Sequence, residues 1–139
     1  MTDCVFCAIV AGEAPASVVL DEPGVIAFMD IRPFTAGHLL VVPKRHVSGL
    51  GGLDPEDGAR IFDAGRRIAT ALRCGALPVD GVNLFLADGA AAGQEVFHVH
   101  LHVIPRRHGD GFGLRGVPRS PNRTVLDGTA VAIRDALSR

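Results

Sequence analysis

The chain has 139 residues, 47% of them hydrophobic and 21% charged, with a net charge of −1. This is the balance of a globular chain, not of a disordered one, and its length suits a single domain over residues 1–139. Near-neutral charge argues against polymeric DNA or RNA as a partner, and no apolar run is long enough to span a bilayer. With no basic and then apolar segment at the start, a cytoplasmic protein is expected, with a small ligand as its partner.

In chain order, Cys4-Val5-Phe6-Cys7 comes first. Three cysteines make a poor disulfide framework, and a two-residue gap suits metal or redox chemistry better. After an apolar turn over 6–10, residues 17–21 and 25–29 predict two strands of a hairpin around Glu22-Pro23-Gly24. Residues 38–42 predict a buried strand ended by Pro43. Asp54 and Pro55 then offer an N-cap and a first helical residue, and Ile61, Gly65, Ile68, Ala69 and Leu72 recur at helical spacing. Cys74, in the same stretch, is expected to be buried and reduced. Residues 82–86 and 96–104 predict two more strands, paired antiparallel across the loop 88–95. Leu126, Ala130, Ile133 and Leu137 predict a C-terminal helix despite Gly128. The sum is an α+β fold with a mostly antiparallel five-stranded sheet, one long helix and terminal helical segments.

The segment Val96 to Ile104 carries the chemistry. Strand alternation puts Val96, His98, His100, His102 and Ile104 on one face and Phe97, Val99, Leu101 and Val103 on the other. The apolar set has a core to fill; three aligned imidazoles serve catalysis or a metal, with a plain solvated face as the bland alternative. The preceding loop favours phosphate chemistry, because Gly93 permits close backbone approach, Gln94 offers an amide, and N–H groups entering a strand can hold phosphate oxygens. The arginines 106, 107, 115, 119 and 123 face a single acid, Asp110. They read first as a solvated basic tail and second as a contact for a polyphosphate.

The stretch from Ala92-Gly93-Gln94 through His102-Val103-Ile104-Pro105-Arg106, with Phe28-Met29-Asp30-Ile31 and Gly37-His38-Leu39-Leu40-Val41-Val42-Pro43-Lys44-Arg45-His46, resembles the histidine-triad (HIT) family of nucleotide hydrolases and transferases. The resemblance runs from Cys4 to about Arg107 and leaves the tail 108–139 uncovered. It implies that His100 attacks the α-phosphorus of a purine nucleotide, forming a nucleotidyl-histidine that water releases. His102 would contact the phosphate, His38 would order the cluster, and Gln94, Gly93 and Val96 would line the phosphoryl site. Asp30 would accept the ribose hydroxyls, with Phe6, Ile9, Phe28 and Ile31 around the base. Many relatives carry an asparagine where this chain has Ala87, so a polar contact is missing. The resemblance also implies a homodimer and a structural zinc on Cys4, Cys7, His46 and His98. Adenylyl phosphoramidates and dinucleoside polyphosphates are the implied substrates. A zinc-stabilised binding protein with incidental turnover, and a phosphorylase or nucleotidyltransferase, stand beside the hydrolase.

Overall fold

The computed structural model describes residues 3–139; Met1 and Thr2, part of the N-terminal stretch read above as lacking a targeting signal, lie outside the described residues. Helix α1, Val5–Val10, opens on Cys4, whose Sγ accepts the Cys7 N–H. Strands β1, Val18–Glu22, and β2, Val25–Met29, form the expected antiparallel hairpin. Its turn closes at Gly24 with φ +83°, a left-handed conformation that favours glycine. Strand β3, Leu39–Pro43, is buried along its whole length. Helix α2, Pro55–Cys74, starts as the sequence predicts, with Asp54 accepting the Glu56 N–H at 2.8 Å and proline in the first turn. Strands β4, Gly81–Phe85, and β5, Leu101–Arg106, precede helix α3, Arg123–Leu137.

The five strands lie in the order β1-β2-β3-β5-β4, and every adjacent pair is antiparallel. The fold is therefore α+β, as the sequence predicts. One sheet face packs on α2, burying Val25, Ala27, Leu39, Val41, Leu101 and Val103 against Ile61, Ala64 and Ile68. The other carries Ile26, Phe28, Leu40 and Val42 under Phe6 of α1. Alternation along the strands sorts side chains to the two layers. The helix lies close to β5: a Cβ added at Gly65 would stand 2.8 Å from Leu101 Cδ2. Among the described residues no helix is long and apolar enough to cross a membrane.

Two expectations need correction. The strand predicted over 96–104 begins only at Leu101, because β3 pairs with β5 solely from Leu39 to Val41. Upstream, the Val99 N–H is taken at 2.8 Å by the carbonyl of Val47, beyond the end of β3. Phe97, expected in the core, is consequently 51% exposed. Cys74 is exposed rather than buried; it lies two residues past Leu72, about 200° around the helix from the core-facing stripe. The predicted C-terminal helix is present as α3, but none of its residues is buried.

Candidate active site and metal centre

Val99, Leu101 and Val103 are anchored in the α2-facing core, which turns His98 and His100 toward the α1 layer. Both imidazoles are buried, and Phe6 packs edge-on against them with centroids 5.8 and 5.1 Å away. His100 Nδ1 lies 2.7 Å from the carbonyl oxygen of His98. A carbonyl only accepts, so Nδ1 carries the proton and Nε2 of the neutral ring keeps its lone pair.

His38, immediately before β3, is fully buried, and the backbone N–H of Phe34 donates to its Nδ1 at 3.0 Å. That places the proton on His38 Nε2, which donates to His102 Nδ1 at 2.9 Å. The neutral His102 ring then holds its own proton at Nε2. Asp30 Oδ2 lies 3.6 Å from His38 Nε2, and Oδ1 accepts the Arg32 N–H at 2.8 Å. Burial lowers the pKa of His38 against the opposing pull of Asp30. Burial, followed by the neighbouring His100 and His38, takes His102 down to about 4. At neutral pH both rings are uncharged. The rings of His100 and His102 are 4.9 Å apart, with Phe85 5.8 Å from His102.

The loop before the histidines is held by Gln94, whose Oε1 accepts the Gly89 N–H at 2.7 Å while Nε2 donates to the carbonyls of Ser48 and Val96. Its amide hydrogens are thus committed within the protein. Gly89 and Gly93 flank the short turn Ala90–Ala92 with φ of +94° and +97°. Of the residues expected around the base, Phe6 and Phe28 are buried in contact with each other at 5.4 Å, and Ile9 and Val96 pack at the edge of that cluster. Ile31 is 93% exposed. Ala87 is buried and apolar, so no polar side chain stands at that point.

Cys4, Cys7, His46 and His98 converge, with one potential ligand atom from each inside a 4.8 Å span. His98 Nε2 donates to the Pro43 carbonyl at 2.7 Å, so its Nδ1 is a lone pair. Around that lone pair stand Cys4 Sγ at 3.4 Å, Cys7 Sγ at 3.6 Å and His46 Nδ1 at 3.2 Å. A proton can serve one such contact at a time, whereas a cation serves all four donor atoms at once. Tetrahedral zinc, with bonds of about 2.0–2.3 Å, has ligand–ligand edges of about 3.3–3.8 Å, close to these spacings. The donor set fits the metal.

Arg106 does not reach toward the histidines. It is bound to Asp110, Asn83 and the Phe112 carbonyl, so its charge is spent inside the protein. An open cleft of about 550 Å³ beside it includes Arg73, Asp80 and Asn83, away from the triad. Sequence reasoning missed Phe34, Phe112 and the carbonyls of Pro43 and His98. A backbone atom leaves no signal in residue type, and Phe34 reads as an ordinary loop residue.

The HIT domain profile matches residues 11–109. An uncharacterised HIT-like protein of Mycobacterium tuberculosis is 47% identical over 98% of this chain and 94% of its own. The adenylylsulfatase HINT3 of Arabidopsis thaliana is 37% identical over 78% of this chain and 54% of its own. Among solved structures, a zinc-bound histidine triad family protein of Mycobacterium smegmatis superposes with a TM-score of 0.78 at 44% identity, covering 96% of this chain and 97% of that one. A histidine triad nucleotide-binding protein of Candida albicans superposes with a TM-score of 0.88 at 26% identity, covering 98% of each. By domain match, sequence identity and superposition, the chain belongs to the HIT-domain family.

Proposed function

We propose that this protein binds a purine nucleotide and hydrolyses it at the α-phosphate through a covalent intermediate on His100, with adenylyl phosphoramidates the leading substrates and dinucleoside polyphosphates a second class. The observation that carries the reading is the hydrogen bond from His100 Nδ1 to the His98 carbonyl, which puts the lone pair of the unprotonated ring on Nε2, where a nucleophile needs it. Attack by Nε2 on the phosphoramidate protonated at its leaving nitrogen by solvent forms a P–N bond as the bond to that nitrogen breaks, and the amine departs with that proton; the water that later displaces His100 returns a proton to solvent. The positive charge that develops on the imidazole is stabilised through Nδ1–H by the His98 carbonyl. Water then displaces His100, giving the nucleoside monophosphate and a neutral ring. His102, through Nε2–H, donates to the phosphoryl oxygens in both steps, and His38 holds it in that tautomer. Gln94 positions Gly89 and the loop that precedes the histidines rather than donating to phosphate itself. Asp30 serves the ribose hydroxyls, and Ile31, Phe6, Ile9 and Phe28 offer apolar surface to the base. The nucleotide-binding neighbour and the adenylylsulfatase relative support the substrate class.

Cys4, Cys7, His46 and His98 would hold a structural zinc, whose four ligands leave no open position; bound there, it braces α1 and the His98 segment. The reduced thiolates it needs suit a cytoplasmic location. A homodimer accords with the family, and exposed apolar side chains such as Phe62, Val125 and Ile133 suit burial against a second copy. The test is incubation with adenosine 5′-phosphoramidate, with and without added phosphate, followed by product identification and mass analysis of the His100 peptide. Adenosine monophosphate in both mixtures, with an adenylyl group trapped on His100, supports the hydrolase. A product incorporating the added phosphate makes it a phosphorylase, and an unmodified His100 during turnover removes the covalent step.

A further inference from the structure

The turn that follows β5 takes no part in the chemistry above, yet it is tied with unusual care. The chain reverses through Gly109 and Gly111, whose φ angles of +74° and +77° favour glycine. Arg106 grips both carboxylate oxygens of Asp110 at 2.8 Å, through Nε and Nη2. The same carboxylate accepts the backbone N–H groups of Arg107 at 3.0 Å and Phe112 at 3.1 Å. Arg106 also donates to the Phe112 carbonyl and, at 2.8 Å, to Asn83 Oδ1 on β4. A bidentate pair with two further backbone donors is a rigid closure rather than a loose surface contact.

The closure delivers one side chain. Phe112 lies 4.9 Å under the Arg106 guanidinium and stacks on Phe34, with centroids 4.8 Å apart and planes 26° apart. Phe34 in turn stacks on His38 at 5.5 Å and 13°, and its own N–H is the donor to His38 Nδ1. Phe34 is 65% exposed and sits in a loop, so these rings are what its side chain packs against. Thr35 ties the same loop to β5 by donating to the Pro105 carbonyl at 2.7 Å.

We infer that the Arg106–Asp110–Phe112 turn is a positioning clamp that holds Phe34 against His38 and so sets the direction of the His38–His102 hydrogen bond. The chain of consequence runs through protons alone. With the Phe34 N–H at Nδ1, His38 must carry its proton at Nε2, and His102 keeps its own at Nε2. If Phe34 swings away, His38 can move its proton to Nδ1, and its Nε2 becomes an acceptor. His102 must then donate from Nδ1, and its Nε2 loses the hydrogen it would offer to phosphate. Each ring still holds one proton, but the pair has reversed. The effect on rate rests on the function proposed above; the effect on the tautomers does not.

The experiment uses the full-length protein labelled with nitrogen-15, as wild type and as Phe112→Leu, Asp110→Asn and Phe112→Tyr. Long-range nitrogen–proton spectra of the imidazoles report the tautomers directly. In wild type, His38 shows a protonated Nε2 and an acceptor Nδ1. In Phe112→Leu and Asp110→Asn, the His38 and His102 nitrogens move toward the reversed tautomers. In the same two variants kcat for adenosine 5′-phosphoramidate falls about tenfold with KM within about twofold. Phe112→Tyr, which restores the stacked ring, keeps wild-type spectra and rate. Unchanged His38 and His102 signals in both folded variants overturn the clamp, as does failure of Phe112→Tyr to restore them. Should the wild type turn over no adenylyl substrate, the proposed function falls and the spectra still decide the clamp.

Discussion

His38 and His102 share a hydrogen bond of 2.9 Å between Nε2 and Nδ1 although 64 residues separate them in the chain. The antiparallel pairing of β3 with β5 makes the contact, since Leu40 stands opposite His102 in the register and His38 is two residues earlier on the same side. A buried imidazole and a half-buried one, His38 and His102, keep this N–H to N bond only while both are neutral.

That neutrality predicts an acid limb in stability. The unfolded chain takes up a proton on His102 near pH 6.5, whereas burial and its neighbours hold the folded group to about 4. The contribution to stability is complete above about 6.5 and is lost as pH falls through about 4, because the unfolded state binds the proton first. His38, lowered in the same direction by burial, adds to the slope. The melting temperature of wild type should fall more steeply over this window than that of His102→Gln. Parallel curves would show that His102 does not titrate as described.

His100→Ala is expected to cut turnover of adenosine 5′-phosphoramidate by about 10³-fold or more while nucleotide affinity changes little. The lost group acts mainly once the P–N bond begins to form. Steady-state kinetics and calorimetric titration with adenosine monophosphate separate the two effects, and turnover near the wild-type rate would rule out His100 as the nucleophile.

Protein purified without chelator should carry about one equivalent of zinc per chain, measured by elemental analysis, and Cys7→Ser should lose it together with thermal stability. Cys4→Ser should lose the metal too, although its hydroxyl can still accept the Cys7 N–H that the Cys4 sulfur caps. A well-folded preparation free of metal, with the melting temperature of wild type, would exclude the site.

Gly65 lies in the middle of α2, where alanine would ordinarily be favoured by about 1 kcal/mol. Its face meets β5, and a Cβ there would crowd Leu101, which is itself buried beside Leu84. Gly65→Val should therefore destabilise the protein by about 1–3 kcal/mol, read by denaturant unfolding, and reduce turnover by displacing the strand that carries His102. A neutral or stabilising result would mean that α2 can retreat from the sheet without cost.

Local chemistry was readable from the chain alone. Asp54 and Pro55 announce α2 because a cap and a first-turn proline act within a few residues. The hairpin of β1 and β2 follows from its turn, and the strand alternation of Val99, Leu101 and Val103 separates core from histidines even where regular pairing has not yet begun. The arrest of β5 at Leu101 was not readable, because it depends on the Val47 carbonyl taking the Val99 N–H across a gap of 52 residues, and nothing in the residue types marks that choice. Cys74 looks apolar in sequence but falls on the outer side of α2, a matter of where the helix meets the sheet. Arg106 reads as part of a solvated basic tail and is instead paired with Asp110. Above all, the sequence supplies three imidazoles without saying which nitrogen of each holds the proton. The carbonyls of His98 and Pro43 and the N–H of Phe34 decide that, and backbone groups acquire a direction only when the chain has folded around them.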